Sequence, residues 1–236
     1  MRISQYWLVI FSFVVGTASL CSAGTIIVGG PADTSNGNAN PFGSAFSGED
    51  YQQVYTSSLF SGPMTIIGLK FFNTAVNDSP TATSPGTFTI SLSTTSADWD
   101  TLSSTLANNI GGNNTLVFSG SLAQPWAFGD TLSIVFSTPF SYAPGPGANL
   151  LLDVAFTGVI PASSVNDIFF DTNGFNNGGL NGNTFFGRAA NEADNSNAGY
   201  GLVTGFVTTP EPASFGLLGA GLIGFQMVRL LHIRRY

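Results

Sequence analysis

Between residues 24 and 210 the chain has no histidine and no cysteine; its one cysteine is Cys21 and its one histidine is His232. A Ser-His-Asp triad, a Cys-His pair and a His-ligated metal each need one of those side chains, so all three are excluded from that stretch. Carboxylate chemistry survives. Glu49, Asp50, Asp98, Asp100, Asp153, Asp167, Asp171, Glu192 and Asp194 are the acids from which a glycan-cleaving pair would be drawn. Such a pair must face across about 5–10 Å, with one carboxyl held protonated. Solvated acids on sheet edges and loops are the commoner reading, and the expectation is a chain that is not an enzyme.

Oxygen ligation is the second chemistry. DIFFDTNGFNNGGLNGN sets Asp167, Asp171, Asn173, Asn176 and Asn177 in a stretch whose glycines permit tight turns, and the later NEADNSN adds Glu192 and Asp194. Calcium takes about six to eight such oxygens. The spacing is not that of an EF-hand, and a polar Asn/Gly turn has the same composition. Calcium is the one candidate cofactor. Sugar stacking is the third chemistry, with Tyr51, Tyr55, Trp99, Trp126, Tyr142, Phe175 and Tyr200 in or near expected loops. Core packing competes at every one of these positions, because the chain carries 21 phenylalanines. An ice-binding face would want a flat threonine array. Thr81, Thr83, Thr87 and Thr89 suggest one, but no repeat period runs through the chain.

The elements that must position these residues read as strands. Phe88, Ile90 and Leu92 alternate with threonine and serine; Leu132, Ile134 and Phe136, and then Leu150, Leu152, Val154 and Phe156, alternate in the same way. Period two means one buried face and one wet face. Further strands are expected at 25–29, 51–57, 64–72, 115–119, 167–171, 183–187 and 200–207. Turn signals such as Ser84-Pro85-Gly86, Gly129-Asp130 and Pro144-Gly145-Pro146-Gly147 separate them. The expected body, residues 24–207, is an all-β antiparallel sandwich or jelly roll. One helix is suggested over Asp98 to Asn109, with Ser96 as N-cap.

Only 8% of residues are charged, against about 25% in ordinary soluble chains. Lys70 and Arg188 are the only basic residues between 24 and 210, facing twelve acids. So acidic a body is repelled by phosphate backbones, which excludes nucleic acid as a partner. The other basic residues sit at the ends. Arg2, the apolar run Trp7 to Val15 and then Cys21-Ser22-Ala23 form a secretory signal peptide over residues 1–23, with cleavage after Ala23. At the other end Ala213 to Val228 carries no charge, and Arg229, Arg234 and Arg235 follow. Sixteen residues make about 24 Å of helix, a short span. A single transmembrane helix is expected over 213–231, with its basic flank on the cytoplasmic side. Pro210-Glu211-Pro212 precedes it as an extended segment unable to join helix or sheet.

Pro210-Glu211-Pro212, the Gly/Leu-rich stretch and Arg234-Arg235 occur in that order. Together they resemble the PEP-CTERM sorting signal of Gram-negative bacteria, here residues 208–236. The resemblance implies export through the general secretory route and a transient stay in the inner membrane. Recognition by an exosortase-type processing enzyme would follow, then transfer to the cell surface or extracellular matrix. The family is associated with exopolysaccharide and biofilm, so exopolysaccharide is a candidate partner. In this sequence Leu230, Leu231, His232 and Ile233 dilute the arginine cluster. YQQVYTSSLFSGPMTIIGLKFF, ISLSTTSADWDTLSSTLANNIGG and ANLLLDV are similar to segments of other exported proteins with this tail and a β-sandwich body. The tail is an address. For the body, the first expectation is a non-catalytic surface or matrix protein. The alternatives are a calcium-dependent carbohydrate-binding module, a secreted carboxylate-pair enzyme and an ice-binding protein.

Overall fold

Period-two patterning becomes strand wherever the sequence shows it. In a computed structural model, which describes residues 23–34, 37–43, 50–75, 81–83, 86–157, 169–176, 179–180, 184–190 and 197–210, all the longer elements are β. We label the longer strands β1 Gly24–Val28, β2 Tyr51–Tyr55, β3 Met64–Phe72, β4 Thr87–Thr95, β5 Thr115–Ser121, β6 Thr131–Tyr142, β7 Asn149–Thr157, β8 Phe186–Ala190 and β9 Thr204–Pro210. One sheet has the order β1-β9-β3-β6. The other runs β8-β2-β7-β4-β5, with the short strand Asn197–Ala198 beyond β8. All these pairings are antiparallel.

The pairing follows a nested rule. With β8 set aside, the first strand pairs with the last, the second with the next to last, β3 with β6 and β4 with β5. The chain is thus one long antiparallel hairpin rolled into two facing sheets. Inward side chains of both sheets form one aromatic core. Tyr55 of one sheet meets Phe206 of the other edge to face at 4.9 Å, a favourable geometry for two ring quadrupoles. Phe42 fills the far end, with its ring 4.8 Å from Phe71 and 5.4 Å from Phe88. Where β6 passes β3 the register slips between Ile66 and Gly68. There the Ser137 hydroxyl donates to the Val117 carbonyl on β5 at 3.1 Å, which ties the two sheets along one side.

The suggested helix over Asp98 to Asn109 is replaced by turns and a single 3-10 turn, Leu106–Asn109. The physical reason is competition from short polar side chains. The Asp98 carboxylate takes the Trp99 N–H, the Asn109 side chain takes the Ser103 N–H, and the Ser103 hydroxyl takes the Thr105 N–H. Leu102 and Leu106, which suggested helical spacing, pack instead on Val54, Leu151 and Ala189, on the outer face of the second sheet. With that cover on one face and the aromatic core on the other, every residue of β2 is buried.

Candidate functional site

The body's last strand runs into the segment expected to be unpaired. β9 pairs with β3 as far as Thr209 opposite Thr65 and Pro210 opposite Met64. Pro210 therefore ends a sheet strand instead of standing outside the sheet, a correction to the reading of the two prolines. A missing N–H is tolerated at a strand terminus, where no further ladder bond is lost. On its other side β9 pairs with β1, starting at Gly24 opposite Thr208. Ala23, the residue before the expected signal cleavage, is exposed and lies directly before that pair. Paired Cα atoms sit about 4.5–5.5 Å apart. Both ends of the body therefore leave from neighbouring strands at one pole.

The same pole carries the loops at the end of β2, the start of β3 and the β6–β7 connection. Ser57, Ser58, Phe60, Ser61, Gly62, Pro144, Gly145 and Pro146 line an open depression of about 340 Å³ there. No residue from Thr56 to Met64 or from Ser141 to Asn149 is charged. Beneath it the Phe60 ring stands edge-on to Tyr142 and Phe206 at 5.1 and 5.4 Å. The Tyr142 hydroxyl donates to the Ala148 carbonyl, closing the Pro-Gly loop.

Residues 208–230 match the family model described as a PEP-CTERM protein-sorting motif. The chain carries a PEP-CTERM sorting signal. The signal indicates an exported protein processed by an exosortase. No curated protein and no solved structure matches the chain. The first three residues of the PEP-CTERM match belong to β9, so the signal begins inside the folded body. Glu211, Pro212, Arg229, Arg234, Arg235, the expected span 213–231 and the signal peptide up to Ser22 lie outside the described residues. Among the described residues no helix is long and apolar enough to cross a membrane.

The other candidate residues are placed as follows. Asp171 is buried, and its carboxylate clamps the loop after β3. Oδ1 accepts the Thr74 and Ala75 N–H groups at 2.7 and 2.9 Å, and Oδ2 accepts the Thr74 hydroxyl at 2.5 Å. The Asn173 amide donates to the Gly29 and Pro31 carbonyls, both at 2.9 Å. Asp167 and Asn177 lie outside the described residues, as does the side chain of Asn176. Among the described residues no three of His, Cys, Asp and Glu gather as a metal set.

The aromatic expectation is corrected at five positions. Tyr51, Tyr55, Trp126, Tyr142 and Tyr200 are buried and present no open stacking face. Tyr51 donates to Gln53 at 2.5 Å, Tyr55 bonds the Thr204 hydroxyl, and the Trp126 indole donates to the Phe169 carbonyl. Tyr200 lies under the Arg188 guanidinium, 4.6 Å from the ring centre. Burial pushes the phenols of all four tyrosines up, so they stay neutral. Trp99 is half-buried, and the Phe175 side chain lies outside the described residues.

Of the acids, Asp98 and Asp130 accept backbone N–H groups within their own turns. Asp153 on β7 accepts the Gln52 amide of β2 at 2.8 Å. Burial raises its pKa, the Gln52 bond opposes that, and the nearby Asp50 adds to the rise. Asp50 and Asp153 are brought together by the β2–β7 register, Gln52 opposite Asp153, which the sequence did not signal. Asp100 is exposed, while Glu49, Glu192 and Asp194 lie outside the described residues.

Proposed function

We propose that this chain is an exported, non-catalytic protein of the cell surface or extracellular matrix. In this reading a jelly-roll body is delivered by its C-terminal sorting signal, after cleavage behind Ala23. The observation that carries the proposal is the PEP-CTERM match at residues 208–230, which opens within β9. Nested pairing of first strand with last, second with next to last and so inward supports the jelly-roll label, with β8 an addition beside β2. The hydrogen bonds that engage Asp98, Asp130, Asp153 and Asp171 and the burial of Tyr51, Tyr55, Trp126, Tyr142 and Tyr200 support a body that neither cleaves nor stacks glycans. An exopolysaccharide partner would meet a surface rich in serine, threonine, asparagine and glycine, where hydrogen bonding is available and charge is sparse. Calcium would have to find its oxygens mainly among Asp167, Asn176 and Asn177, since Asp171 is engaged with the Thr74 loop.

The test is the intact mass of the exported protein from a host that carries the processing enzyme. The expected species begins at Gly24 and ends near Pro210 to Pro212. The Glu211→Ala variant is expected to keep its tail through Tyr236. A wild-type mass running through Tyr236 would replace the matrix reading with a permanently membrane-tethered one.

A further inference from the structure

The pole from which the tail leaves differs in charge from the rest of the body. Asp33, Asp50, Asp130 and Asp171 lie toward the opposite pole, at the far ends of β1, β2, β6 and the Asp171 clamp; Lys70, Asp153 and Arg188 lie within strands. The rim around Pro210 consists of Ser57–Gly62, Pro63, Ser141–Ala148 and Ala23-Gly24, without a charged side chain. Among the described residues the nearest acids, Asp98 and Asp100, open the segment that folds back over the outer face of the second sheet; one further carboxylate, Glu211, follows Pro210 in the tether itself. The chain outside the described body starts one residue past β9. From Pro210 to the first residue of the apolar run, Ala213, is three residues, at most about 10 Å of extended chain. A body on so short a tether must present this rim to whatever the tail enters.

From these placements we infer that the Ser57–Gly62 and Pro144–Pro146 rim is a bilayer-contact surface. While the tail is inserted, the body stands pole-down on the lipid interface. This rests on the reading of the tail as a membrane span. The physical basis is desolvation. A carboxylate pressed against a low-dielectric surface loses its hydration at a steep cost, whereas hydroxyls, glycines and prolines lose far less. An acidic body approaches most closely through its least charged face, and the acids of the far pole are then held away from the lipid. The β1–β9 pairing adds a second constraint. It sets the N-terminal exit beside the C-terminal one, so a chain still bearing its signal peptide meets the bilayer through the same rim.

The experiment uses the full chain with its signal peptide removed, reconstituted in phosphatidylcholine vesicles without any processing enzyme. Removal of the signal peptide discards Cys21, so Ser61→Cys and Phe128→Cys each provide a single labelling site, at the rim and at the exposed far-end turn respectively. A headgroup-borne quencher is expected to abolish most of the emission from a fluorophore at position 61 and to leave that at position 128 nearly unchanged. Equal quenching at both sites, with the chain floating with the vesicles, would overturn the inference. So would quenching at position 61 that requires added exosortase, which would assign the rim to a protein partner. A chain that fails to float at all would instead defeat the membrane-span reading on which this rests. A circular dichroism melt of each labelled variant confirms that the body is intact.

Discussion

At the scale of the residue, Asp171 acts as an internal fastener. Asp171 receives three hydrogen bonds from Thr74 and Ala75 inside the protein. Truncation removes all three bonds, but Thr74 is exposed and Ala75 half-buried, so water takes over part of what is lost; Asp171→Ala is expected to cost about 1–3 kcal/mol and to lower Tm by roughly 3–10 °C. Asp171→Asn keeps one acceptor oxygen and should cost less; equal melting of the two variants and wild type would refute the clamp. Asp153 behaves in the opposite sense. Its folded pKa lies above the ordinary 3.8 because burial penalises the charge. Its contribution to stability is therefore full below pH 3.8 and falls as pH rises through the folded value. Asp153→Asn should stabilise the body at pH 7 and have little effect near pH 3, and paired melts at the two pH values check this. The sequence named both acids as candidates but could not show their work, because the partners of Asp171 are 96 and 97 positions away. The tyrosines were read as loop platforms for a related reason. YQQVY shows no alternation, since β2 is covered on both faces and its two glutamines are satisfied by Leu106, Asp153 and Leu202.

At the scale of the element, strands with one dry and one wet face were legible because period two leaves its mark on residue type. β3 was anticipated end for end at 64–72, and β4, β6 and β7 were found from their alternating apolar residues. The 96–111 segment was not legible, because its leucines serve a sheet face and not a helix stripe. Its return into β5 depends on close backbone approach at Gly111. A Cβ there would stand 1.7 Å from the Thr94 carbonyl oxygen, while at Gly112 it would meet nothing. Gly111→Ala is expected to cost about 1–3 kcal/mol, and Gly112→Ala to stay within about 0.5 kcal/mol. Denaturant unfolding of both variants separates a steric requirement from general loop tolerance. Equal midpoints would mean that the segment can shift without loss.

At the scale of the whole molecule, the sequence divides the chain into body and tail at residue 207, and the fold moves that line. β9 lies between β1 and β3, and its Phe206 is fully buried against Tyr55 and Phe60. A central strand cannot be removed without exposing two neighbours at once. The sorting signal therefore overlaps the last piece of structure the body needs. Processing that preserves Pro210 leaves every pair from Gly24–Thr208 to Met64–Pro210 in place. Chain 24–212 is accordingly expected to melt cooperatively, within about 2 °C of the body in the full-length protein. Chain 24–203, which lacks β9, should show no cooperative transition and should aggregate through the exposed edges of β1 and β3. Thermal melts followed by circular dichroism, together with light scattering, distinguish the two. A cooperative melt of 24–203 would mean that β9 is an accessory of the tail and not the keystone of the first sheet. The coupling of address to fold would then be lost, because an enzyme could cut anywhere in 204–212 without consequence for the body it releases.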